Sequence, residues 1–98
     1  MTIEKNMNGN ELALKINGRL DTTTAPVLDA ELKECLTDVE KLVMDFSELE
    51  YLSSAGLRVL LTAQKVMNKQ GEMIITHVND TIMEIFEITG FIDILTIE

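Results

Sequence analysis

The sequence predicts an α/β fold: a mixed β-sheet with an N-terminal β-hairpin and helices packed on the sheet. Three observations carry this. Two segments of strand character, Ile3 to Met7 and Leu12 to Ile16, flank Asn8-Gly9-Asn10, and Asn-Gly between such segments is a strong hairpin signal. Apolar residues then recur at helical spacing in three separate stretches. Short apolar runs, Leu42 to Asp45 and Met73 to Thr76, lie between those stretches. Alternating β and α after a hairpin implies right-handed parallel crossovers, with function at the C-terminal ends of the strands.

In order along the chain, Leu12, Leu14 and Ile16 alternate with Ala13 and Lys15, which turns one face of the second strand inward. Gly18-Arg19-Leu20-Asp21 is expected to be a loop. Thr22-Thr23-Thr24 offers N-cap candidates before Pro26 in the first turn of a helix from about Thr24 to Leu36 (Leu28, Leu32, Cys35, Leu36). A strand over Leu42 to Asp45 leads into a loop from Phe46 to Leu52. The second helix runs from Ser54 to about Asn68 and stops before Gly71. Met73 to Thr76 is apolar on both faces, as a strand between covering helices would be. Asn79-Asp80 caps a third helix (Ile82, Ile85, Phe86, Thr89), Gly90 closes it, and Phe91 to Ile97 could add a helical turn and a last strand.

At 98 residues, without repeats, low-complexity segments or a linker, the chain is expected to form one domain over residues 1–98. A formal net charge of -9 repels phosphate backbones, so direct nucleic-acid binding and anionic membrane surfaces are poor assignments, and a partner with a basic docking surface fits better. No stretch approaches the roughly 18 to 20 apolar residues of a spanning helix, so membrane insertion is not expected. Met1-Thr2-Ile3-Glu4-Lys5 lacks a signal-peptide core. Cys35, the single cysteine, is expected to be a buried core thiol in a cytoplasmic protein.

Side-chain catalysis finds little material. His77 is the only histidine and ends an apolar strand, which suits a core or rim residue better than a general base. There is no Cys/His cluster for zinc and no G-x-x-x-x-G-K loop for ATP, so neither metal nor cofactor is expected. Met44, Met67, Met73 and Met83 are packing residues.

The informative stretch is V-M-D-F-S-E-L-E-Y-L-S-S-A-G-L-R-V-L-L, Val43 to Leu61. It sets Ser53 and Ser54 at the mouth of a helix, where unpaired N–H groups and a partial positive charge favour anions. Ser53 is the better N-cap, with its Oγ accepting from the second or third N–H of the first turn. Ser54 then falls at the first helical position with its hydroxyl free. Capping alone could account for both serines, but Gly56 adds a second signal. Glycine costs about 1 kcal/mol against alanine inside a helix, and its missing side chain would let another protein approach Ser54 closely. Arg58, Thr62, Lys65 and Lys69 continue from it as a polar stripe with basic character, either a solvated face or a docking ridge.

These residues resemble the STAS domain, the fold of bacterial anti-sigma factor antagonists. D-F-S-x-L-x-Y-L-S-S-A-G-L-R-V-L-L matches one signature, and G-R-L-D (Gly18 to Asp21) before a helix matches the other; length and element order agree from end to end. The resemblance implies a non-enzymatic switch. The unmodified antagonist binds an anti-sigma factor, usually a serine kinase with a GHKL-type ATP site, and so frees a sigma factor. That kinase phosphorylates the serine two places before the motif glycine, here Ser54, and a PPM-type phosphatase restores it. Asp21 matches the loop aspartate of the partner-binding rim, which the resemblance extends over Ser53, Ser54, Ala55, Gly56, Leu57 and Arg58. Ser53 stands where aspartate is usual, and Ala55 where serine or threonine is common. A STAS subunit of a transporter or another signalling complex is the alternative role. A small nucleotide hydrolase is the enzymatic rival, and it lacks the necessary residues.

Overall fold

The computed structural model describes all residues, Met1–Glu98. Strands β1 (Thr2–Asn8) and β2 (Glu11–Leu20) form the hairpin, in register Ile3↔Ile16 through Asn8↔Glu11. Helix α1 (Ala25–Cys35) leads to β3 (Lys41–Asp45), then β4 (Leu49–Leu52), α2 (Ser54–Gln70), β5 (Glu72–Thr76) and α3 (Asp80–Thr89). A 3-10 turn over Phe91–Asp93 follows. The main sheet has the order β1-β2-β3-β5, antiparallel at the hairpin and parallel elsewhere.

Both crossovers, β2–α1–β3 and β3–α2–β5, step the same way across the sheet. Right-handed connections stepping one way put their helices on one face. There Leu12, Leu14 and Ile16 of β2, Leu42 and Met44 of β3, and Met73 and Ile75 of β5 meet Leu28 and Leu32 of α1 and Leu60, Ala63 and Met67 of α2 in one core cluster. Each fully buried aliphatic side chain stabilises by about 1.5–3 kcal/mol. On the other face, the cross-strand rows Glu4–Lys15–Asp45 and Asn6–Ala13–Val43 are exposed or half-buried. The expectation of covering helices on both faces is therefore corrected: Ile74 is buried beside Val43 but lies outside the core cluster.

Two further corrections bear on the site. The segment expected to be a loop over Gly18 to Leu20 is the end of β2, and part of the Phe46 to Leu52 loop is β4, paired parallel with that end. The β2 strand thus changes partner along its length: Glu11–Lys15 pairs with β3, and Gly18–Leu20 pairs with β4. A register shift between Gly18 and Arg19 accommodates the change, and Gly18 takes φ +94°, a value that favours glycine. Sequence periodicity misses β4 because Leu49 and Leu52 are buried three apart, not two.

Elsewhere, Cys35 is half-buried, not a core thiol: Lys5, reaching over from β1, donates to its Sγ at 3.3 Å. His77 sits exposed on the rim, its Nδ1 3.3 Å from Asp45 Oδ1. The expected last strand is reduced to one bridge, Ile97 beside Ile75.

Gly71 ends α2 where the chain passes very close to the β3 entry. A Cβ there would lie 1.8 Å from the Glu40 carbonyl oxygen, which accepts from Glu72 N at 3.0 Å. Gly71→Ala is expected to cost at least about 2 kcal/mol, since rigid backbone must move. Urea denaturation measures it, and an unchanged midpoint would show that this close approach is not needed.

Candidate functional site

The site is built where β2 and β4 end side by side. Leu20 pairs with Leu52, and Ser53 N donates to Leu20 O at 2.9 Å, so the chain after each strand turns into a helix at one rim. After β2 comes Asp21 and then α1; after β4 comes Ser53 and then α2. The structure therefore joins two motifs more than thirty residues apart in sequence.

The two serines separate as their positions predict. Ser53 is the N-cap, with extended backbone (φ -94°, ψ 173°), and its Oγ accepts from Gly56 N at 3.3 Å. Ser54 is the first residue of α2 and is exposed, its hydroxyl without a partner in the chain. Ala55 is half-buried and Arg58 exposed. Arg58, Thr62, Lys65 and Lys69 are all exposed along the helix. A shallow cleft of about 250 Å³ opens between the first turns of α1 and α2, with Thr22, Pro26, Ala55 and Arg58 among its walls.

Gly56 and Leu57 are buried, which corrects the expected use of the glycine. A Cβ on Gly56 would lie 2.7 Å from Leu52 Cδ1, 2.8 Å from Leu20 Cγ and 3.1 Å from Leu20 O. The absent side chain lets the helix sit on its own two strand ends. It does not open a path for a second protein.

Asp21 organises the other half of the rim. Its Oδ1 accepts from Thr23 N (3.0 Å), the Thr23 hydroxyl (2.8 Å) and Thr24 N (3.1 Å), so the aspartate, and not the Thr24 hydroxyl, holds the entry to α1. Thr24 Oγ1 instead accepts from Asp21 N and donates to Arg19 O. The Thr23 hydroxyl foremost, followed by the backbone N–H groups, holds the Asp21 carboxyl down at about 2. Its Oδ2 lies 3.6 Å from Arg19 Nε, and the Arg19 guanidinium stacks 4.3 Å above the Tyr51 ring. Arg19 and Tyr51 are rim residues that the sequence did not disclose, because only the unforeseen β2–β4 pairing sets them opposite one another.

No three His, Cys, Asp or Glu side chains are grouped as a metal site, and no helix is long and apolar enough to cross a membrane. The STAS domain model matches residues 2–98. The chain belongs to the STAS family. Among its relatives, BtrV of Bordetella bronchiseptica, provisionally assigned as an anti-sigma factor antagonist, is 37% identical over 84 residues, covering 84% of this chain and 72% of its own. The anti-sigma-B factor antagonist of Bacillus subtilis is 28% identical over 98 residues, covering 99% and 90%. Among solved structures, unphosphorylated SpoIIAA, an anti-sigma factor antagonist, superposes with a TM-score of 0.78 at 15% identity, covering 99% of this chain and 87% of that one. The phosphorylated form from Bacillus gives 0.77 at 16% identity, covering 99% and 91%. These superpositions establish the STAS fold: a mixed sheet, its N-terminal hairpin and its packed helices.

Two substitutions test the geometry. Gly56→Ala is expected to destabilise by about 1–3 kcal/mol, because Leu20 and Leu52 must move for the new methyl. An unaltered denaturant midpoint would contradict the packing role. For Asp21 the sign follows from its lowered value. Its stabilisation is present above the unfolded-state value of 3.8 and is lost as pH falls toward about 2. Wild type should therefore exceed Asp21→Asn in stability near neutral pH, with the gap closing from about pH 4 to 2. A gap independent of pH would show that the charge contributes nothing.

Proposed function

We propose that this STAS protein is an anti-sigma factor antagonist: a cytoplasmic binding module and kinase substrate, not an enzyme. Unmodified, it binds an anti-sigma factor that is a GHKL-type serine kinase, and this frees a sigma factor. Phosphorylation of Ser54 switches it off, and a PPM-type serine phosphatase resets it. The observation that carries the reading is the division of labour between adjacent serines. Ser53 is engaged as the cap, while Ser54 presents an unpartnered hydroxyl at the first position of α2. The names of the relatives supply the role, and the rim supplies the surface.

The contact surface in this reading comprises Asp21, Ser53, Ser54, Ala55 and Arg58, with Gly56 and Leu57 supporting it from beneath. A kinase delivers the γ-phosphoryl of ATP to Ser54 Oγ, the hydroxyl proton leaves, and ADP departs. The phosphate adds about -1.5 to -2 charges at neutral pH. In the free protein that charge lies at a helix N-terminus, where acidic groups are favoured by about 0.3–1 kcal/mol. Inside a close interface it faces desolvation and steric conflict. Each 1.4 kcal/mol lost weakens binding about tenfold, so a few kcal/mol disassembles the complex without a change of fold.

Incubation with the cognate kinase and ATP is expected to label wild type and Ser53→Ala, but not Ser54→Ala. Undiminished label in Ser54→Ala would remove Ser54 as the acceptor. Calorimetry with the anti-sigma partner in the absence of ATP should show Ser54→Asp binding at least about tenfold more weakly than wild type, with Ser54→Ala competent. Equal affinities for the three proteins would contradict the charge switch.

A further inference from the structure

The eight basic residues of this chain include only two arginines, Arg19 and Arg58, and both lie at the rim that carries Ser54. Their circumstances differ. Arg19 is engaged twice, over the Tyr51 ring and beside Asp21. Arg58 is exposed and makes no ion pair; its backbone carbonyl accepts from Thr62, but its guanidinium has no partner. The acidic groups around it do not fill that need. Asp29, which shares the cleft between α1 and α2 with Arg58, is 2.9 Å from Lys33. Asp21 holds its own turn and Arg19. Glu50 of β4 precedes Tyr51 and is exposed without an ion pair.

We propose that Arg58 is the internal counterion of phosphorylated Ser54. This rests on the assignment of Ser54 as the modified serine. Ser54 and Arg58 are at i and i+4 of one helix, so they are neighbours on its surface. Long helical side chains lean toward the N-terminus and cover the preceding turn, so a phosphate on Ser54 falls within reach of the Arg58 guanidinium. An acidic group four residues before a basic one is the favoured order. A guanidinium also matches phosphate oxygens with two parallel N–H donors, which lysine cannot do. Phosphorylation then has two consequences at the rim: it introduces negative charge, and it draws the one unengaged arginine away from a partner and onto the phosphate.

The test uses full-length protein with phosphoserine installed at position 54 during translation, so that no kinase is needed. Phosphorus NMR at low salt follows the second ionisation of the phosphate. Pairing with Arg58 stabilises the dianion, so wild type should titrate about 0.3 unit lower than Arg58→Gln. Arg58→Lys should recover part of the difference, and Arg19→Gln should leave it intact. In wild type itself, the Arg58 Hε resonance should move with the phosphate titration while that of Arg19 stays still. Superimposable titrations of wild type and Arg58→Gln overturn the proposal, as does an Arg58 Hε resonance indifferent to the phosphate or a shift abolished by Arg19→Gln alone. A kinase that ignores Ser54 would refute the assignment of the acceptor and leave this pairing measurable.

Discussion

The start of α2 lies against the paired ends of β2 and β4, and Gly56 is what permits it. Leu20 and Leu52 are buried directly beneath the first turn, within 2.8 Å of where a Cβ would be. That close approach fixes the direction of the helix and brings Ser53 N onto the Leu20 carbonyl. Once the first turn is fixed, the roles of the two serines follow. The residue in extended conformation caps, and the next one is helical with its side chain outside.

A second constraint lies in β2. By changing partner at Gly18 it opens a short second parallel pair with β4, and that pair carries both signature motifs to one rim. The Asp21 turn and the Arg19–Tyr51 stack then stiffen the rim from the α1 side. Little of this depends on the state of the Ser54 hydroxyl, which no group in the chain holds. A charge added there meets the helix N-terminus and Arg58 one turn on, so the surface can change its charge while the packing under it remains.

Much of this was legible in the sequence. Asn8-Gly9-Asn10 marks the hairpin, the helical apolar series marks α1, α2 and α3, and capping chemistry fixes the first residue of α2 at Ser54, because apolar periodicity and capping act locally. What escaped depended on contacts between distant segments. Strand β4 has no period-2 pattern, and its register with β2 includes an irregularity. Without β4, Arg19 and Tyr51 could not be set opposite one another. Helix propensity flags Gly56 as unusual, but only packing shows that its missing side chain faces Leu20 and Leu52 and not a second protein. Cys35 misled for a similar reason, since a helical apolar series does not reveal that Lys5 of the hairpin reaches it.

In the proposed reading, modification of Ser54 rewrites a surface and leaves the fold in place. Amide hydrogen exchange on unmodified protein and on protein carrying phosphoserine at position 54 tests it directly. Protection of the β2, β3 and β5 core amides is expected to be unchanged, with differences confined to the first two turns of α2 and the adjoining Asp21 turn. Loss of protection across the sheet on phosphorylation would contradict it, and would make the switch a conformational one.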